Sequence, residues 1–179
     1  NTGEYNVNET LVIDPQLVWA TFYGGNGFEG HLSVDCDANG NVYVTGYTDS
    51  SPFPTQAWAG AYNDATFGGG LNHDAFILRF DNAGVRTWAT YYGGTGYEWG
   101  YSIACDGANN VYVTGYTDSP AASFSILAWA GAYNDGVLGG TSDIFIMRFT
   151  ATTGVRTWAT YYGGTADEQG YSIACDGAN

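Results

Sequence analysis

Hydrophobic and polar residues alternate along this chain with the two-residue period of β-strands. Short runs rich in Val, Ile, Tyr, Trp and Phe are separated by clusters of Gly, Asn and Asp. Asp74–Phe80 (DAFILRF) predicts one strand, with a turn at Asp81–Gly84 (DNAG) and a second strand over Val85–Tyr92. Tyr101–Cys105 predicts a third and Val111–Thr117 (VYVTGYT) a fourth. The turn before the equivalent of that fourth strand contains Asn39-Gly40, a strong hairpin signal because both residues tolerate positive φ. Residues on both faces are bulky: Trp88, Thr90 and Tyr92 alternate with Ala89 and Tyr91. That two-sided filling predicts sheets sandwiched between other sheets rather than one open face.

The pattern repeats. GVRTWATYYGGT occurs at 84–95 and 154–165, GYSIACDGAN at 100–109 and 170–179, NVYVTGYTDS at 41–50 and 110–119, and AWAGAYND at 57–64 and 128–135. The structural anchors Trp19, Trp88 and Trp158 lie 69 and then 70 residues apart. Repeats of this kind stack, each unit burying its faces on its neighbours. The strands over 74–117 span 44 residues, the size of one propeller blade. The expected fold is therefore all-β, a β-propeller-like array of four-stranded antiparallel blades, about three in this chain. The expected divisions are an N-terminal extension at 1–9, blade 1 at 10–48 with Leu11–Asp14 as its first strand, a connector at 49–73, blade 2 at 74–117, a connector at 118–142, and blade 3 at 143–179 without its last strand. Trp58 and Trp129 are expected to pin the connectors to the blades.

Several of these phrases together, WATYYGG, YSIACD, GNVYVTGYTDS at 40–50, Phe53-Pro54 and DAFILRF, resemble the bacterial β-propeller repeat called SBBP. The opening LVIDPQLVWATFYGG at 11–25 is similar to the way such arrays begin. The resemblance covers nearly the whole chain beyond Asn8. It implies a propeller fold in large secreted surface proteins, often of bacteria with type IX secretion and gliding, with no enzymatic activity and no agreed ligand residues. Two features depart from the pattern: Cys36, Cys105 and Cys175 stand where an aliphatic residue is usual, and Arg79 and Arg148 where lysine is common.

Composition narrows the function. Among 179 residues, eighteen Asp and Glu face four Arg and no Lys, a formal charge of −14. Such a surface repels phosphate backbones and anionic membranes, so no nucleic-acid partner is expected. No apolar run is long enough to span a membrane. Residues 1–20 lack the basic start and apolar stretch of a signal peptide, as expected of a mature secreted chain. Because propellers usually close with about 4–8 blades, the expected partners are further blades of a longer chain or other copies of itself. In the second case residues 1–14 of one copy would supply the strand missing after Asn179 of the next.

Repeats leave little asymmetry for catalysis. No GxSxG or HExxH motif occurs, and the unrepeated candidates are Glu4, Glu9, His31, His73 and Asp167. No catalytic residue and no enzyme are expected. Most repeated carboxylates, among them Glu29, Glu98 and Glu168, are expected to serve turns and strand ends. Asp35-x-Asp37-x-Asn39-Gly40 opens like a calcium loop but lacks its acidic twelfth position, which is Gly46. Calcium, which is possible but not required, would more readily sit on the connectors at Asp64, Asp74, Asp135 or Asp143. Trp99 replaces Gly30 and Gln169 of the other copies and is expected to be exposed; with Trp58 and Trp129 it is a candidate for stacking glycans. Cys36, Cys105 and Cys175 are expected as buried free thiols. The four Arg recur by repeat, which predicts pairing with carboxylates. Asn8-Glu9-Thr10 is a lone, weak glycosylation triplet. The reading is a non-enzymatic extracellular structural or adhesive module of a bacterial surface protein or filament; the alternative is a glycan- or calcium-binding recognition module using the connectors.

Overall fold

The alternating apolar runs form eight strands: β1 (Glu29–Cys36), β2 (Val42–Thr48), β3 (Asp74–Phe80), β4 (Arg86–Tyr92), β5 (Glu98–Cys105), β6 (Asn110–Thr117), β7 (Asp143–Thr150) and β8 (Arg156–Tyr162). In the computed structural model, which describes residues 16–68 and 72–176, they make two four-stranded antiparallel sheets of order β1-β2-β3-β4 and β5-β6-β7-β8. The described residues contain no helix. Equivalent positions pair identically: Tyr43 lies opposite Arg79 and Arg79 opposite Trp88, as Tyr112, Arg148 and Trp158 do in the second sheet. The all-β, blade-like architecture is as the strand pattern predicts.

The blade boundaries are not. β3 and β4 share a sheet with β1 and β2 across the first connector, so the blades are 29–92 and 98–162, not 10–48, 74–117 and 143–179. The connectors run within blades, between the second and third strands. The segment from β4 to β5 is the true crossing between blades, because β5 lays its face on β1 and β2 instead of pairing with β4. Gly100 permits this approach. A Cβ there would stand 2.5 Å from Thr45 Oγ1 and 2.9 Å from the Gly46 carbonyl oxygen. Residues 168–176, expected within a third blade, continue past β8 without forming a named strand. The extension at 1–9, the strand proposed at Leu11–Asp14 and the glycosylation triplet lie outside the described residues.

Each connector returns to cover an outer edge. Gln56 and Ala89 exchange backbone hydrogen bonds of 2.8 and 3.0 Å, and Tyr91 N–H donates to the Asp64 carbonyl at 3.0 Å. Leu127 with Ala159, and Tyr161 with Asp135, do the same on β8. An edge covered in this way is withdrawn from pairing with another chain. Within AWAGAYND, Gly60 adopts φ +83° and the Ala61 N–H closes a turn on the Trp58 carbonyl at 3.0 Å. The Asn63 side chain then bonds both N–H and C=O of Trp58 at 2.9 Å.

The core lies between the blades. All seven residues of β3 are buried. Trp88 and Tyr92 of the first sheet join Phe145 and Phe149 of the second, with Phe124 of the second connector, in one apolar cluster. The joint is built twice. Trp19 meets Phe80 at 5.5 Å, as Trp88 meets Phe149 at 5.5 Å. Tyr23 packs edge-on to Phe53 at 5.2 Å, as Tyr92 does to Phe124 at 5.1 Å. Residues 19–23 therefore occupy, against the first blade, the place β4 occupies against the second.

Candidate functional site

Three residues without counterparts in the other repeats, His31, His73 and Trp99, converge on the joint between the blades. Tyr47 of β2 stacks on His73 at 4.6 Å and 7°, and on Trp99 of β5 at 4.6 Å and 22°. His31 lies 5.1 Å from Trp99 and 5.3 Å from Tyr101, at a bulge of β1 where its φ is +51°. Trp99 is half-buried rather than exposed, because its ring faces are covered by Tyr47 and the two imidazoles. Among the described residues neither Trp99 Nε1 nor His73 Nδ1 has a hydrogen-bond partner, so ring stacking holds the group. Sequence position alone marked these residues as unrepeated; only the fold shows that they are neighbours.

Trp58 and Trp129 pin the connectors as expected, each beneath a guanidinium. Arg79 lies 5.0 Å from the Trp58 ring and Arg148 lies 4.4 Å from the Trp129 ring. Instead of the carboxylates expected, the arginines bond phenol, amide and carbonyl oxygens. Arg79 donates to the Tyr43 hydroxyl at 3.0 Å, and Arg156 to the Tyr92 hydroxyl at 2.6 Å and the Ser125 carbonyl at 2.8 Å. Arg86 donates to Gln56 Oε1 at 2.8 Å and Arg148 to Asn110 Oδ1 at 2.7 Å. A guanidinium clasped between aromatic faces uses its planar fork on phenol and carbonyl oxygens, while the acids are engaged elsewhere.

The acids are engaged by N–H groups. Asp37 accepts from the backbone of Asn39 at 2.9 Å and of Asn41 at 3.0 Å, and Asp35 from the Cys105 N–H at 2.7 Å. Partial burial opposes ionisation of Asp37, but the Asn41 and Asn39 bonds hold its carboxyl below the usual range. The calcium-like opening at 35–40 is thus a hydrogen-bonded turn. Asp64 and Asp135 accept from Thr66 at 2.8 Å and Val137 at 3.0 Å. Among the described residues no group of three or more His, Cys, Asp or Glu is placed to hold a metal.

Asp74 and Asp143 differ, because each is buried at a strand start beside a glutamate from the next repeat. A Cβ on Gly93 would stand 2.8 Å from Asp74 Oδ1 and 2.7 Å from Glu98 Oε2; on Gly163 it would stand 2.5 Å from Asp143 Oδ1 and 2.7 Å from Glu168 Oε2. Glu98 is fully buried and accepts from the Thr117 hydroxyl at 2.5 Å and the Gly94 N–H at 2.8 Å. Burial is the main cause that pushes Asp74 up to about 7, and the Glu98 and Asp64 charges add to it against the Gly68 N–H bond. Sequence reading named both carboxylates but separately, Glu98 for turns and strand ends and Asp74 as a candidate calcium ligand of the connectors.

The cysteines are free. Cys36 is exposed rather than buried, because it shares with the exposed Val34 the face of β1 turned away from β5; Cys105 and Cys175 are half-buried. Burial, with the nearby Asp35 charge, pushes the Cys105 thiol up to about 12.

A comparison with curated proteins finds no match. Residues 33–54 and 87–120, which carry β1–β2 and β4–β6, match the family model of the SBBP beta-propeller repeat. With two like sheets stacked through one repeated joint, the matched segments make this chain similar to the SBBP beta-propeller repeat.

Proposed function

We propose that the array is a non-enzymatic structural module, an extracellular spacer or adhesive element of a bacterial surface protein or filament. The observation that supports this reading is the duplicated joint: aromatic residues of a kind that stacks ligands are used, twice and in the same way, to glue sheet to sheet. The further partner is another blade of the same kind, in the same chain or another copy. Tyr92 is fully buried at the joint, whereas its equivalent Tyr162 is 54% exposed. At the other end Val34 is 62% exposed, whereas its equivalent Ile103 is 4% exposed under the first blade. These two faces are the halves of the joint already formed between the blades, and they fit a head-to-tail neighbour. No helix among the described residues is long and apolar enough to cross a membrane.

The glycan reading rests on Trp129, which is 46% exposed. Its equivalent Trp58 is covered by the second blade through Gly154, so a neighbouring blade accounts for that surface too. Pulling the chain by its ends tests the spacer reading. Two successive ruptures, each releasing about 220 Å of contour for a blade of this length, are expected; one featureless low-force extension would refute it. Robust glycan-array binding abolished by Trp129→Ala would favour recognition instead.

A further inference from the structure

We propose that Asp74 and Glu98 hold a single proton between them, forming a carboxyl–carboxylate clasp that joins the first blade to the second and loosens as that proton is lost. Asp74 opens β3 of one blade and Glu98 opens β5 of the next, with the Glu98 N–H bonded to the His73 carbonyl at 2.7 Å. Both side chains are buried, at 1% and 0% exposure. Their facing oxygens lie within 2.8 and 2.7 Å of one point over Gly93, where only a residue without a side chain leaves room.

The hydrogen bonds around the pair leave one gap. Asp74 Oδ2 accepts the Gly68 N–H at 2.9 Å, while both Glu98 oxygens are served by Thr117 and Gly94. Asp74 Oδ1 is buried with no hydrogen-bond partner among the described residues. A proton on Oδ1 donated toward Glu98 Oε2 fills that gap and removes one of two like charges from a buried site. The other groups facing the pair do not supply a counter-charge. They are the carboxylates Asp64 and Asp118 and the phenols Tyr62, Tyr91, Tyr116 and Tyr161, while the His73 ring is stacked on Tyr47. A divalent cation fits less well, since the neighbours aim N–H and O–H hydrogens at these oxygens and calcium wants six to eight oxygen ligands. The second joint is built differently. Asp143 accepts from both Gly139 at 2.8 Å and Gly140 at 3.3 Å, and Glu168 is partly exposed.

An isolated Asp in the unfolded chain loses its proton near pH 4, whereas the folded pair keeps one to about pH 7. The folded state therefore binds the extra proton between those values. The clasp's contribution is full below about pH 4 and is lost as pH rises through about 7. The test is thermal melting of the whole chain from pH 5 to 8. The wild-type melting temperature is expected to fall by several degrees more than that of D74N, whose amide donates to Glu98 permanently. D143N is expected to keep the wild-type slope. Equal slopes in wild type and D74N would overturn the proposal. So would calcium at pH 8 that stabilises wild type and not D74N, which would give the site to a cation. Should D74N not fold, infrared spectra of the wild type decide: a protonated-carboxyl stretch that disappears around pH 7 supports the clasp, and its absence at pH 5.5 refutes it.

Discussion

Trp88 and Trp158 are the same residue of the same phrase in two copies, yet the fold gives them different work. Trp88 is 1% exposed, meets Phe149 across the joint at 5.5 Å and donates Nε1–H to the Tyr62 carbonyl at 2.9 Å. Trp158 makes the equivalent bond, to Tyr133 at 3.0 Å, but is only half-buried because no third sheet covers its outer face. Truncating a buried Trp in a packed core costs about 3–5 kcal/mol, so Trp88→Ala should lie in that range. Trp158→Ala removes less buried surface and should cost about 1–2 kcal/mol at roughly 25 cal/mol per Å². For a chain of this size each kcal/mol moves the melting temperature by about 2–4 °C, so the first variant should melt roughly 10 °C low and the second only a few degrees low. Chemical denaturation followed by far-ultraviolet circular dichroism measures both. Equal losses would refute the idea that the blade–blade joint carries the stability.

Gly100→Ala should destabilise by about 1–3 kcal/mol by overpacking, since its Cβ would meet Thr45 and the Gly46 backbone. Gly131→Ala has open space and should cost only the roughly 1–2 kcal/mol of its positive φ; denaturant midpoints separate the two, and a reversed order would contradict the joint. Arg156→Lys loses the planar fork that bonds Tyr92 and Ser125 and stacks on Tyr62 at 4.7 Å, and should cost about 1–2 kcal/mol by the same assay, where a neutral result would assign the site to charge alone. At pH 8 a thiol reagent should label exposed Cys36 well before Cys105, whose thiol is held up at about 12; peptide mass spectrometry reads the order, and equal rates would overturn it.

What the sequence made legible was the local register. The alternation of DAFILRF, RTWATYY and VYVTGYT names β3, β4 and β2 almost residue for residue, and the hairpin at Asn39-Gly40 forms with Gly40 at φ +77°. What it could not supply was phase. In a tandem repeat every boundary recurs once per period, so strand spacing alone cannot tell a turn within a blade from a crossing between blades. The short link from Tyr92 to Glu98 looks like a hairpin, and the long link from Thr48 to Asp74 looks like a passage to another unit. The reverse holds because Gly100 allows face-to-face approach and because the long connector is needed to reach the far edge of β4. The same ambiguity hid Asp74 and Glu98 from one another. Read within one blade they are two separate carboxylates at strand ends, and only the crossing at 93–97 turns the start of one blade's third strand and the start of the next blade's first strand into neighbours. Residues that couple repeats therefore emerge only after the phase is known, which is why His31, His73 and Trp99 could be marked as unrepeated in the sequence but not as a group.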